Sequence, residues 1–424
     1  MSESLKVLSL FSGCGGMDLG FEGGFKVRRE SINEKIHPSW LPVSGEQDWI
    51  VLPRTKFLTI FANDILPFAE KTWIENFKKE TRPEKVFYRD SIVDLVKSAW
   101  SGTFTFPRAD IVTGGFPCQD FSLAGKRQGF SSKKSHNGTF LSTIDDPSVE
   151  NRGMLYYWMR NVIELVLPKV FVAENVKGLV SLGDTKQIIQ HDFRSVGPGY
   201  IVADARVLNA MNYGVPQSRE RVIFIGFRKD ALTKEALNAF EAEDNQQYFD
   251  PYPIITHADN LFINSKLPLK KIVPSRLYIE NLPEPENSLE PSHQVYSKAR
   301  WYGSNLQGNK EIDLEKASPT IRSEHHGNIE FRRLSLEHGG KNHEELSRGL
   351  KERRLSVREC ARLQTFPDNF QFVIRSTQND RNVSGSDAYR LIGNAVPPFL
   401  AYHIAQRLEY LWPLLFEEDE NDNF

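Results

Sequence analysis

The sequence predicts an α/β fold, a doubly wound and mostly parallel Rossmann-like sheet joined to a second, smaller, irregular domain. Three observations carry this expectation. Short apolar runs alternate with amphipathic segments through the first 228 residues. Several runs end in an acid or a glycine turn, as strands do where they leave a sheet. From residue 229 the texture changes to Pro-, Asn- and Glu-rich sequence of weak periodicity.

Taken in order, "LKVLSLFSGCGGMDLGF" (5–21) reads as a buried strand, a glycine turn and a helix start. "FLTIFAND" (57–64) and "KVFYRD" (85–90) read as strands that each end in an acid, and "ADIVTGGF" (109–116) as a fourth strand. "MLYYWMRNVIELVLP" (154–168) has the apolar spacing of a helix, followed by strand "KVFVAENV" (169–176) and later "ERVIFIGFR" (220–228). "SVRECARLQTFP" (356–367) is a short helix limited by Pro367, and a helix following "PP" closes the chain within 386–412. The expected division is a first domain over 1–228, a second over 229–384, and a segment 385–424 that returns to the first, with an acidic tail from about 417. Residues 26–56 and 126–152 read as insertions; the second carries Lys126, Arg127, Lys133, Lys134 and Arg152, suited to phosphate.

Composition narrows the class. At 424 residues with 40% hydrophobic and 25% charged content, the chain has the makeup of a soluble globular protein of two domains. No apolar run approaches the roughly 18–20 residues of a membrane span, and the N-terminus lacks the features of a secretory signal. Three cysteines without C-x-x-C spacing argue against a disulfide framework or a zinc site, so no metal is expected and a reducing cytoplasm is. The net charge of −2 includes five acids in the run "EEDENDNF"; without them the body is basic, so charge does not exclude a nucleic-acid partner.

The first glycine turn has the outline of a cofactor site, with backbone N–H groups free to approach a ligand at a helix start. The dinucleotide fingerprint counted from Gly13 requires glycine at 18, where Asp18 stands, which counts against NAD or FAD. Phe11 followed by Gly13, Gly15 and Gly16 suits a cofactor without a pyrophosphate, such as S-adenosylmethionine. Asp64 is placed to take ribose hydroxyls and Asp90 the adenine amino group, with Glu30 a rival for the ribose if residues 25–29 form the second strand. In "GGFPCQDFS" (114–122), Pro117 stiffens the backbone beside Cys118 at the C-terminal end of a strand. Glu174 ends the next strand on the same sheet edge, and Arg219 and Arg221, two apart in "QSRER", face one way. A thiol, a carboxyl and guanidinium groups gathered at one edge suit attack on a ring activated by protonation.

These stretches resemble the DNA (cytosine-5) methyltransferases of bacterial restriction–modification type. The matching segments are "FSGCGGMDLGF", "ANDILPFAEKTWIENF", "YRDSI", "GGFPCQDFS", "RGMLYYWM", "AENVKGL", "VLNAMNYGVPQSRERVIFIGFR", "RRLSVRECARLQTFPDNF" and "YRLIGNAVPPFLAYHIAQRL", which span nearly the whole chain in the family's order. The resemblance implies Cys118 as nucleophile toward C6 of a flipped-out cytosine and Glu174 as the group acting on N3. It implies Arg221 holding Glu174 and the cytosine O2, and Arg219 supporting a loop or a phosphate. It implies S-adenosylmethionine contacts at Phe11, Ser12, Gly13, Cys14, Gly15, Gly16, Asp64, Ile65, Asp90, Ser91, Pro117, Asn394 and Ala395, with Cys14 contributing through its backbone. DNA contacts are implied at Ser122, Lys126, Arg127, Arg152, Thr320 and Arg322. The 229–384 region would be the target-recognition domain. The expected substrate is a short specific duplex DNA sequence, and the expected setting a monomeric enzyme of the prokaryotic cytosol, paired in function with a restriction endonuclease without a required complex. A transfer-RNA cytosine-5 methyltransferase shares the catalytic motifs and stays the alternative, and a DNA-binding module without catalysis is a weaker one. Two departures stand out: the segment after the cysteine turn is longer than in compact members, and the region before Asp64 is extended.

Overall fold

The computed structural model describes residues 4–42, 48–77, 86–117, 155–242, 248–259, 267–323, 329–375 and 382–417. Period-two alternation of apolar side chains builds its centre. Val7, Ile111, Val170 and Ile223 enter one buried cluster, while their chain neighbours Leu8, Val112, Phe171 and Phe224 enter another. Successive strand side chains point to opposite faces, so these strands are buried on both. Helices Ile92–Trp100, Leu155–Val166 and Thr185–Arg194 cover one face. Gly16–Glu22 and Pro398–Leu415 cover the other, crossing so closely that a Cβ on Gly20 would lie 2.4 Å from that of Ala401.

The main sheet has eight strands. From one edge the order is Phe87–Tyr88, Phe57–Asn63, Leu5–Leu10, Ile111–Gly115, Val170–Val176 and Glu220–Arg228, the last pairing with both Tyr200–Val202 and Arg206–Asn209. Glu220–Arg228 runs against the other strands. The chain winds outward from Leu5–Leu10 in both directions, so a topological switch point lies between it and Ile111–Gly115. Ligands of such sheets bind at the carboxyl ends of the strands beside that point.

The expected strands are all present, shortened at their ends to Phe57–Asn63, Phe87–Tyr88 and Ile111–Gly115. The short helix predicted to run to Pro367 ends at Leu363, before Thr365 turns into the left-handed region at φ 66°. Residues 25–29 are not the second strand of the sheet. Lys26–Arg28 pairs with Trp49–Val51 in a separate hairpin. The insertion around it braces the second region: Ser31 and Tyr278 share a 2.7 Å hydroxyl hydrogen bond, and the Asn33 amide donates to the carbonyls of Thr256 and Pro268.

The second region contains two small two-stranded pairings, His257–Ala258 parallel to Lys270–Lys271 and Phe331–Arg333 antiparallel to Arg353–Arg354. Helix Val357–Leu363 packs Cys360 into a core shared with Trp73 and Phe77 of the first region. Glu359, at N3 of that helix, closes a capping box with Ser356 and takes a bidentate pair of bonds from Arg353 at 2.8 and 2.9 Å. Burial alone would raise the Glu359 carboxyl; the Arg353 guanidinium, helped by Arg332, instead pulls it down to about 2. A carboxyl depressed on folding stabilises above its unfolded value near 4.5 and loses that contribution as pH falls toward about 2. Glu359→Gln is expected to cost on the order of 3 kcal/mol at neutral pH, the range for breaking a buried pair. It should also flatten the decline of stability between pH 4.5 and 2; denaturant titrations across that window check both effects.

Candidate active site

The turn after Leu5–Leu10 is shaped by backbone sterics. Phe11, Gly13 and Gly15 all have positive φ, at 52°, 55° and 87°. Glycine accepts this freely, whereas Phe11 is held in a sparsely populated region. A Cβ on Gly13 would meet nothing within 4 Å, so this residue opens onto empty space, but a Cβ on Gly15 would strike the Phe77 ring at 2.4 Å. Both ends of the turn are tied to the neighbouring strand. The Ser12 N–H donates to the Asn63 carbonyl, and the Asp64 carboxylate accepts from the Gly13 N–H at 3.0 Å and the Leu66 N–H at 2.9 Å. Burial pushes the Asp64 carboxyl up, opposed by those amides and by the charge of Arg390. Asn63 also donates to the carbonyls of Tyr88 and Asp90, which fixes the third strand end.

At the next strand end, Gly115 makes room for the Glu174 carboxyl, since a Cβ there would lie 2.7 Å from Glu174 Oε2. Asn175 donates to the Phe116 carbonyl at 3.1 Å and so holds the turn that leads into Pro117. Glu174 is 6% exposed, and its Oε1 lies 2.7 Å from Arg221 Nε. Burial raises this carboxyl, and the charges of Arg221 and Arg219 pull against it. Arg221 reaches the site because its strand runs backwards: it enters the sheet opposite Val176, where the parallel strands leave.

Arg219 departs from one expectation. It is fully buried and donates to the carbonyls of Ile321 at 2.9 Å and Gly393 at 2.7 Å. A guanidinium spent on two internal carbonyls braces chain segments and does not reach a phosphate. Around it, the Ser218 N–H donates to the Ser318 carbonyl, the Ser318 N–H to the Pro216 carbonyl, and the Thr320 hydroxyl to the Ser218 carbonyl at 2.6 Å. The segment 318–320 is thereby fastened to the chain just before strand Glu220–Arg228.

Together these segments enclose a cavity of about 900 Å³. Its wall includes Phe11, Ser12, Gly13, Gly16, Asp64, Ile65, Asp90, Ser91, Pro117, Glu174, Arg221, Thr320, Arg322, Asn394 and Ala395. Cys14 and Gly15 stand behind it; Cys14 is buried with its thiol toward the Leu391 carbonyl, and burial pushes that thiol up. Glu30 is not in the wall but pairs with Arg28 at 3.2 Å, so Asp64 is the acid offered to a ligand. Cys118, Ser122, Lys126, Arg127 and Arg152, with the 126–152 insertion, His325, His326 and the tail from 418, lie outside the described residues. Asn63, Gly115, Asn175, Gln307 and Arg390 are wall residues that sequence reasoning did not single out. Asn175 follows Glu174 in "ENV" and could have been found from that motif, whereas nothing local marks Gln307 or Arg390.

The glycine turn, two strand-end acids and a buried carboxyl–guanidinium pair in one cavity fit an adenosyl cofactor beside a polar planar ring. Comparison with known proteins gives the family. The family model for C-5 cytosine-specific DNA methylase matches residues 5–410. The Type II methyltransferase M.BsuRI of Bacillus subtilis is 31% identical over 100% of this chain and 83% of its own length. M.BspRI of Lysinibacillus sphaericus is 32% identical over 96% and 82%. Among solved structures, S. pombe Dnmt2 methyltransferase has the same fold, with a TM-score of 0.53 and 20% identity over 96% of this chain and 99% of that one. The chain belongs to the C-5 cytosine-specific DNA methylase family and is a DNA cytosine-5 methyltransferase.

Proposed function

We propose that the protein methylates C5 of a cytosine flipped out of a short specific duplex DNA sequence, using S-adenosylmethionine. The observation that carries this reading is the pairing of Glu174 with Arg221 in the same cavity as the Gly13 turn, Asp64 and Asp90. S-adenosylmethionine supplies an electrophilic methyl group. Phe11, the Gly13 turn, Asp64, Asp90 and Asn394 are the residues that would hold it. Cys118 adds to C6 of the cytosine, while Glu174, oriented by Arg221, donates a hydrogen bond or proton to N3. Electron density would then rise at C5, which would accept the methyl group and leave the cofactor as its neutral thioether; loss of the C5 proton to water re-forms the C5–C6 double bond and expels the Cys118 thiolate, and N3 returns its proton to Glu174. Pre-positioning of the reacting groups lowers the barrier, and Asn175 and Gly115 contribute by fixing the Phe116–Pro117 turn and the Glu174 carboxyl.

C6 is inaccessible inside a duplex, so the base must leave the stack at a cost of a few kcal/mol. Residues 123–152 and the region 229–384 are the candidate elements that offset this, with Thr320 and Arg322 as DNA contacts. We read the domain limits as 1–228, 229–384 and 385–424. The relatives' designation as Type II methyltransferases supports a restriction–modification role; we read the protein as a monomer of a prokaryotic cytosol that needs no complex with its endonuclease. No helix among the described residues is long and apolar enough to cross a membrane. Transfer of a labelled methyl group to duplex DNA, with transfer RNA as the parallel substrate, tests the reading. Labelled 5-methylcytosine should form in DNA at a short motif mapped by bisulfite sequencing; labelling confined to transfer RNA would overturn it.

A further inference from the structure

Arg390 is the cation of the cavity wall that the mechanism leaves without a task. It sits on helix Gly385–Asn394, one turn before Asn394, so the two side chains share a helix face and both line the cavity. Its guanidinium carbon lies 5.4 Å from the Phe68 ring centroid, which seats the group on an aromatic face at the start of helix Pro67–Phe77. It makes no hydrogen bond or ion pair among the described residues, although it is close enough for its charge to act on Asp64. By contrast, Arg221 is committed to Glu174, and Arg322 rides on the recognition segment fastened at Ser218. A half-buried guanidinium held over a ring, with its donors unused, is a prepared anion site.

We propose that Arg390 binds the carboxylate of the cofactor's amino-acid end. This rests on the reading of S-adenosylmethionine as the cofactor. That molecule has one anionic group, its carboxylate, beside a sulfonium and an ammonium. Asp64 and Asp90 serve hydroxyls, amines and cations, so they cannot hold it. Asn394, on the same helix face, can add an amide donor; with Arg221 committed to Glu174 and Arg322 read as a DNA contact, Arg390 is the guanidinium of the wall left for that carboxylate.

Calorimetry on the full chain with S-adenosylhomocysteine and with 5′-deoxy-5′-methylthioadenosine tests the assignment. The second compound keeps the adenosine and sulfur but lacks the amino-acid group. Arg390→Met should weaken S-adenosylhomocysteine about ten- to hundred-fold, as expected for one lost charge-assisted hydrogen bond. It should leave methylthioadenosine within about two-fold, and that binding also shows the variant to be folded. Arg390→Lys, which keeps the charge and loses the fork, should fall between. Equal weakening of both ligands would overturn the proposal and place Arg390 at the adenosine end through Asp64. Unchanged binding of both, with the salt slope of DNA binding reduced by about one, would overturn it in favour of a phosphate contact. Absence of S-adenosylhomocysteine binding by the unaltered protein would instead sink the cofactor reading itself.

Discussion

Cys118→Ser is expected to abolish methyl transfer, lowering kcat by about four orders of magnitude or more. A thiol with pKa near ~8.5 supplies a few per cent of thiolate at neutral pH, whereas a serine hydroxyl supplies essentially none. The substitution removes one atom's chemistry and leaves the approach intact, because the Phe116 carbonyl stays fixed by Asn175 and Pro117 stays in the wall. Cofactor affinity should therefore remain near that of the unaltered protein. Single-turnover transfer to cognate DNA and calorimetry with S-adenosylhomocysteine measure the two halves. A Cys118→Ser variant retaining more than about one per cent of the activity would falsify the assignment of the nucleophile.

The second large effect is at Glu174. Glu174→Gln keeps the shape and can still donate a hydrogen bond to N3, but it cannot deliver a proton. A loss of about 10²–10⁴-fold in kcat is expected, the usual contribution of a positioned acid. The pH profile sharpens the test. Burial raises the Glu174 carboxyl despite Arg221 and Arg219, so its protonated form persists to higher pH than for an exposed glutamate. If that form acts on N3, activity falls as pH rises through the raised value, and the Gln variant should lack this alkaline decline. A Gln variant with the same declining limb would assign it to another group. Arg221→Ala should reduce kcat as well, since it removes the partner held at 2.7 Å.

Much of this was legible in the sequence because the chemistry is gathered at strand ends. Apolar alternation marked the strands, and residues at or just beyond their C-terminal ends, Phe11, Asp64, Asp90, Pro117 and Glu174, are the ones the parallel sheet presents along one edge. Arg221 was legible for a different reason: its strand is antiparallel, so its beginning lies where its neighbours end. Less was legible where a position depends on distant segments. Lys26–Arg28 has strand-like sequence, yet its partner is Trp49–Val51 outside the sheet, which moves Glu30 away from the ribose position. Arg219 has the same local setting as Arg221, and only the arrival of Ile321 and Gly393 from later in the chain makes it an internal brace. Gln307 and Arg390 sit in stretches without a local signal and become wall residues through the packing of the segment 267–323 and of helix Gly385–Asn394. Gly115 is conspicuous in sequence only as a turn glycine; the space it leaves for Glu174 is a tertiary fact.

The central claim is that this cavity drives a covalent attack by Cys118 on a flipped cytosine. Duplex DNA carrying 5-fluorocytosine at the target position, incubated with the protein and S-adenosylmethionine, tests it most directly. Fluorine cannot leave C5 as a proton does, so the reaction should stop at an adduct stable to denaturing gels. Peptide mass spectrometry should map the bond to Cys118, and Cys118→Ser should give no adduct. An adduct on Cys14 or Cys360, or methyl transfer to normal DNA with no trapping of the fluorinated duplex, would contradict the account.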